Sequence, residues 1–162
     1  MFARHLAVAA AAGAVLIVGS AFAHRGVTAS TTGPANAAGA DSGWTVTLSA
    51  PASYSGDEKV TGSGTVTADP SGKGFVAHVN IDGAKASSVH PWHVHTGTCD
   101  KSDGIVGEPS AYPPIQVGAD GTGMATATVS KSLDPSAAYV VNVHESPSNM
   151  KTIISCGPLT KE

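Results

Sequence analysis

The sequence predicts an all-β domain built as a Greek-key sandwich or barrel. Three observations favour this class: short segments alternate apolar and polar residues, clusters of Gly, Pro, Asp and Ser separate them, and no amphipathic helical pattern occurs. The composition agrees, since only 13% of the 162 residues are charged while 19 are Gly and 10 are Pro. Such a composition is not typical of coiled coils or of long solvated helices.

The chain begins with the pattern of a secretory signal peptide. Arg4 precedes an apolar run over residues 6–18, and the Ala-Phe-Ala triplet at 21–23 provides the small residues that signal peptidase reads. The run is shorter than the roughly 20 residues that a membrane-spanning helix needs. We therefore expect residues 1–23 to be removed. The product would be secreted, or held in the periplasm or cell envelope, with no integral membrane segment.

The next segment, residues 24–42, consists largely of Ala, Gly, Ser, Thr and Pro. A segment of this composition buries too little apolar surface to offset the entropy cost of ordering it. We expect it to be a disordered tether that precedes a folded domain over residues 43–162.

Seven candidate strands follow within that domain. In the third, the odd-numbered residues from Phe75 to Ile81 are apolar, while the even-numbered ones include His78 and Asn80, as in a strand with one buried face. The candidate strands cover residues 44–48, 60–68, 74–81, 89–95, 123–129, 139–145 and 152–156. Seven short strands in about 120 residues are typical of a sandwich or barrel.

Three histidines form the strongest candidate site. His93 and His95 are two apart on a predicted strand, so both imidazoles leave one face, with Cα atoms roughly 6.5–7 Å apart, while Val94 points into the core. The alternation of the predicted strand 139–145 lets His144 lie beside this pair. Three neutral imidazoles suit copper or zinc. On the His-x-His spacing alone, two solvated histidines are the competing interpretation.

Two further features accompany these histidines. His90 lies three positions before His93 and has the opposite parity, which favours a place beside a ligand or at the surface over coordination. Cys99 and Cys156 are the only cysteines. In an exported domain such a pair favours a disulfide over a metal site or two free thiols.

Taken in order, these residues resemble the landmarks of copper/zinc superoxide dismutases. The landmarks are His93-Val94-His95 followed by Cys99, the segments 117–121 and 141–145, and Cys156-Gly157. The resemblance covers about residues 64–159. It implies the eight-stranded Greek-key barrel of that family, copper ligands at His93, His95 and His144, and a disulfide between Cys99 and Cys156.

The chain also departs from that family. Segment 96–116 contains no histidine, whereas the family places a copper–zinc bridging histidine, two zinc histidines and a zinc aspartate there. The carboxylates of this segment do not recreate such a site, so we expect no zinc. Ile153 stands where the family has its substrate-guiding arginine. Lys151 is the nearby residue that would supply positive charge instead, as a point charge rather than a fixed fork.

The resemblance implies an exported protein that binds one copper ion. If it is an enzyme, the resemblance implies a copper-dependent superoxide dismutase with superoxide as its small-molecule substrate. Two alternatives stay open: a non-catalytic copper carrier or buffer, and a metal-free structural or interaction domain that keeps only the barrel and the disulfide. A net charge of -3 without a Lys/Arg-rich cluster disfavours nucleic acid as a partner.

Overall fold

The computed structural model describes residues 43–162; the predicted signal peptide (1–23) and tether (24–42) lie outside the described residues. The described part of the chain contains eleven β-strands and one short 3-10 helix, Pro109–Ala111, which confirms the all-β prediction. The strands are β1 Trp44–Leu48, β2 Thr61–Ala68, β3 Phe75–Asp82, β4 Val89–His90, β5 Trp92–Gly97, β6 Ser102–Ile105, β7 Ile115–Val117, β8 Gly123–Val129, β9 Tyr139–Ser146, β10 Asn149–Pro158 and β11 Thr160–Lys161.

The strands form two antiparallel sheets arranged as a β-sandwich. The larger sheet has the order β11-β1-β2-β3-β8-β7-β4, and the smaller has the order β10-β9-β5-β6. Ser49, which follows β1, exchanges two backbone hydrogen bonds with Cys156 of β10, at 3.1 and 2.8 Å. The two sheets are therefore hydrogen-bonded to each other along one edge.

The larger sheet buries one face of each long strand. In β3 the side chains of Phe75 and Ile81 are buried while those of His78 and Asn80 are exposed, which confirms the predicted alternation. The neighbouring strand β8 pairs with β3 so that exposed residues face exposed residues: His78 lies opposite Thr126. Each fully buried apolar side chain of this kind contributes about 1.5–3 kcal/mol to the hydrophobic stabilisation.

The smaller sheet turns a second set of apolar side chains inward. Trp92 and Val94 of β5 and Val141 and Val143 of β9 are fully buried in the core. Because successive side chains of a strand alternate between its faces, the residues between them project from the opposite face of this sheet. That outer face carries the histidines.

The predicted strand 89–95 is wrong in one respect, because it is two strands. Val89 and His90 pair with β7 in the larger sheet, whereas β5, from Trp92 onward, pairs with β9 in the smaller one. Pro91 lies at the crossing and has no N–H to donate, but its carbonyl accepts a 2.8 Å hydrogen bond from the backbone N–H of His144. The chain thus changes sheets immediately before the His-x-His segment.

Cys99 and Cys156 form a disulfide, as expected. The bond joins the loop after β5 to strand β10, which is an edge strand of the smaller sheet and is separated from β5 by β9. Within residues 43–162, no helix has the length and apolar character required to cross a bilayer.

Candidate metal centre

Three histidines meet on the outer face of the smaller sheet. His93 and His95 come from β5 and His144 comes from the adjacent strand β9. Asn142 lies opposite His93, and His144 follows two residues later on the same face. The nitrogen atoms that the three rings offer all lie within 4.8 Å of one another. The structure therefore brings together three side chains that could hold one metal ion.

The hydrogen bonds of the rings show which nitrogens are free to bind a metal. Nδ1 of His95 lies 2.7 Å from the backbone carbonyl oxygen of Asp103. A carbonyl only accepts, so Nδ1 carries a hydrogen, and in the neutral ring Nε2 is then the nitrogen with a lone pair. That Nε2 is buried and has no hydrogen-bond partner within the described residues. A bound metal would satisfy it, which fits the usual explanation of a buried, unpaired polar atom.

The other two rings face each other. Nδ1 of His93 lies 3.2 Å from Nε2 of His144. Nδ1 of His144 makes no well-formed hydrogen bond within residues 43–162, although the backbone carbonyl of Met150 approaches this ring. His93 and His144 are only 5% and 6% exposed, while His95 is half-buried. The site is therefore open to solvent mainly on the side of His95.

Burial and the neighbouring imidazoles keep the rings of His93 and His144 neutral by lowering their pKa values. Burial, followed by the charges that His144 and His95 would carry, lowers the pKa of His93 from its ordinary 6.5 to about 4. Burial and then His95 lower the pKa of His144 as well, with the Met150 carbonyl acting in the opposite direction. Neutral imidazoles offer lone pairs, so the electrostatics of the site favour metal coordination at neutral pH.

Tyr112 packs against His93 from one side. The ring of Tyr112 packs edge-on against both His93 and Trp92, with centroid distances of 5.3 Å in each case. The Tyr112 hydroxyl donates a 2.6 Å hydrogen bond to the carbonyl of Val106, and the Trp92 indole donates to the carbonyl of Pro113 at 2.8 Å. Burial raises the pKa of Tyr112, so its hydroxyl stays protonated and keeps donating.

His90 lies behind the site and is not one of the converging rings. It is 1% exposed, with Nδ1 3.0 Å from the backbone carbonyl oxygen of His144 and Nε2 2.7 Å from the hydroxyl of Ser88. The first bond must be donated by Nδ1, since a carbonyl only accepts. His90 therefore ties β4 of the larger sheet to the backbone that carries His144.

Two residues that the sequence interpretation did not single out take part in the surroundings. Tyr112 lies in segment 96–116, and nothing in its spacing indicates a contact with His93. Asn142 is fully buried and donates from Nδ2 to the hydroxyl of Ser102 at 3.0 Å. Its place on the same face as His144 could be read from the strand alternation, but the contact with Ser102 could not.

Lys151, the other residue suggested from the sequence, and His78 both lie outside the group formed by the three rings. Lys151 is exposed in β10, in the irregular stretch that separates the pairs Asn149–Ser146 and Ile153–His144. His78 is exposed on the larger sheet, where Nδ1 lies 2.8 Å from the hydroxyl of Thr126.

No protein-family model matches the chain, and no curated protein shows significant similarity to it.

Proposed function

We propose that the protein is an exported copper-binding protein of superoxide dismutase type, which holds one copper ion through His93, His95 and His144. The observation that carries this proposal is the convergence of three imidazoles within 4.8 Å. The proposal includes the Greek-key barrel that the sequence resemblance implies. The backbone bridge between Ser49 and Cys156, which links the two sheets, supports closure of such a barrel.

The donor set supports copper as the metal. The group consists of imidazoles alone, and both cysteines are held in the disulfide, so no thiolate competes as a ligand. Imidazole suits copper, which also stands highest among the divalent first-row metals in affinity for a given nitrogen site. Segment 96–116 supplies no histidine for a second metal. Zinc in the family's second position therefore has no support.

The surrounding residues orient the ligands. Asp103 fixes the tautomer of His95 through its carbonyl, and His90 fixes the backbone of His144, as outer hydrogen bonds commonly do for metal-bound histidines. Copper bound there would supply one-electron chemistry, which is what dismutation of superoxide requires. Lys151 at the exposed rim would attract a small anion towards the site.

Export is part of the same proposal. The pattern at residues 1–23 is typical of a signal peptide, and the Cys99–Cys156 disulfide is compatible with an oxidising compartment outside the cytoplasm.

Copper titration tests the binding site. The protein should take up one tight equivalent of copper, and a variant carrying His93→Ala, His95→Ala and His144→Ala should lose it. His78→Ala is the matched control, because this exposed histidine lies on the other sheet and should leave binding unchanged. Unchanged binding in the triple variant would show that the site assignment is wrong.

A dismutation assay on the copper-loaded protein tests the enzymatic form of the proposal. Two results would support superoxide as the substrate. Turnover by the copper-loaded protein should be well above that of free copper, and Lys151→Glu should lower this turnover by a factor that becomes smaller at high ionic strength. Turnover no greater than that of free copper would restrict the function to carrying or buffering the metal.

A further inference from the structure

Strand β10 leaves its register with β9 beside the metal centre. Asn149 pairs with Ser146, and the next pair joins Ile153 to His144. Three residues of β10 therefore stand opposite the single residue Glu145 of β9. Irregularities of this kind redirect side chains and are common next to functional sites. We call residues 150–152 the bulge.

Asn149 holds the bulge in place. Its side-chain amide donates to the carboxylate of Glu145 and, at 3.0 Å, to the hydroxyl of Thr152. The bulge is thus fastened at its start to β9 and at its end to Asn149. Met150 and Lys151 project between these two anchors, and both are exposed.

Met150 is the residue of the bulge whose side chain carries a soft donor atom, a thioether sulfur. Its backbone carbonyl approaches the His144 ring, and its side chain is 39% exposed. Among the described residues only Met124, on β8 of the larger sheet, is a more exposed large apolar side chain, at 79%. A methionine side chain is unbranched and flexible, and the bulge stands opposite Glu145, the residue that follows His144, so the register places this thioether on a flexible side chain next to the site.

We propose that the thioether of Met150 is a fourth ligand that the site recruits when the metal is copper(I). The inference rests on the proposed function and adds a preference for oxidation state to it. Thioethers are soft ligands that select copper(I), whereas imidazoles bind either oxidation state. Three imidazoles alone would hold both forms, and the added sulfur favours retention of the reduced one. The bulge then serves as a copper(I)-selective cap.

Silver(I), a redox-inert stand-in for copper(I), gives a direct test on the full chain labelled with carbon-13 at the methionine methyl groups. The Met150 methyl signal, assigned with Met150→Leu, should shift in proportion to added silver(I), and the Met124 signal should stay in place. A Met150 signal that does not move while the histidine ring signals do would overturn the inference and leave the proposed function standing. If neither set moves, the site does not take up the soft ion and the inference is wrong, while the copper titration still decides the proposed function.

Affinities measured by competition in each oxidation state give a second, independent test. Leu is close to Met in volume, so Met150→Leu should preserve the fold. Loss of a group that only contacts a ligand already costs about tenfold in metal affinity, so loss of a direct ligand should weaken copper(I) binding by about tenfold or more and leave copper(II) binding unchanged. Met124→Leu, the matched control, should change neither. Equal loss in both oxidation states, or loss in neither, would contradict a copper(I)-specific thioether.

Discussion

His95 and Asp103 are joined by a 2.7 Å hydrogen bond from the imidazole Nδ1 to the backbone carbonyl oxygen. The bond connects β5, which carries two of the three histidines, to the edge strand β6. Ser102, the preceding residue of β6, is held by Asn142, and the loop before it is held by the Cys99–Cys156 disulfide. The orientation of one metal ligand therefore depends on a loop that the disulfide fixes in place.

Removal of the disulfide should weaken both the fold and the site. The bond closes a loop with a sequence separation of 57 residues. For a loop of that size, the chain-entropy account gives a loss of about 4 kcal/mol in the free energy of unfolding. Cys99→Ser with Cys156→Ser should show this loss in metal-free denaturation. Copper affinity should fall with it, because Asp103 is no longer held against His95. A folded double variant with unchanged copper affinity would contradict this coupling.

The sequence predicted the strands whose signal is local and missed those that depend on pairing. β1, β3 and β8 show an alternation that a single strand can carry, and their bounds agree with the structure to within a residue. β6 has the sequence Ser-Asp-Gly-Ile, which carries no alternation. It is a strand because its backbone pairs with β5, and that pairing is a property of the tertiary fold.

The metal centre was predictable in its ligands and not in its surroundings. The two-residue spacing of His93 and His95 places both side chains on one face of their strand. The alternation of strand 139–145 allows His144 to lie on the same face of the sheet if the two strands are neighbours. The contact of Tyr112 with His93 joins positions 19 residues apart through a loop. The periodicity of a single segment cannot predict such a contact. The bulge at residues 150–152 likewise arises from the anchoring by Asn149.

Stability of the metal-free protein should fall as the pH drops from 6.5 towards 4. The folded state holds the pKa of His93 at about 4 and also lowers that of His144, whereas the unfolded chain protonates near the ordinary 6.5. In this window the unfolded state binds more protons, so acid favours unfolding. Discounted for solvent screening, the shift of His93 corresponds to a loss on the order of 2 kcal/mol.

Denaturation at a series of pH values, with a chelator present, measures this dependence. His93→Gln should flatten the curve between pH 6.5 and 4.5, since the variant lacks the suppressed imidazole. His78→Gln should keep the slope of the original protein, because that ring is exposed. An equally steep fall in His93→Gln would show that the dependence has another source.

Replacement of His90 should lower the free energy of unfolding, although His90 is not one of the three converging rings. His90→Leu leaves the backbone carbonyl of His144 without its hydrogen bond in a buried position. An unpaired buried acceptor costs about 1–3 kcal/mol, so the metal-free variant should unfold at correspondingly lower denaturant concentration. His78→Leu removes an exposed contact and should change stability by less than about 0.5 kcal/mol. Equal effects of the two substitutions would contradict the role assigned to His90.

Gly157 allows the close approach of β1 to β10 at the edge where the two sheets are bridged. A Cβ atom there would stand 2.1 Å from the backbone oxygen of Thr47 and 2.7 Å from a methyl group of Val46. Because a backbone atom cannot move aside as a flexible side chain can, Gly157→Ala should destabilise the protein by about 3 kcal/mol or more. Gly104→Ala, on edge strand β6 with no atom within 4 Å of the added Cβ, is the control and should cost far less. Thermal unfolding of both variants decides the matter: if Gly157→Ala melts no lower than Gly104→Ala, the two strands separate more easily than this contact implies.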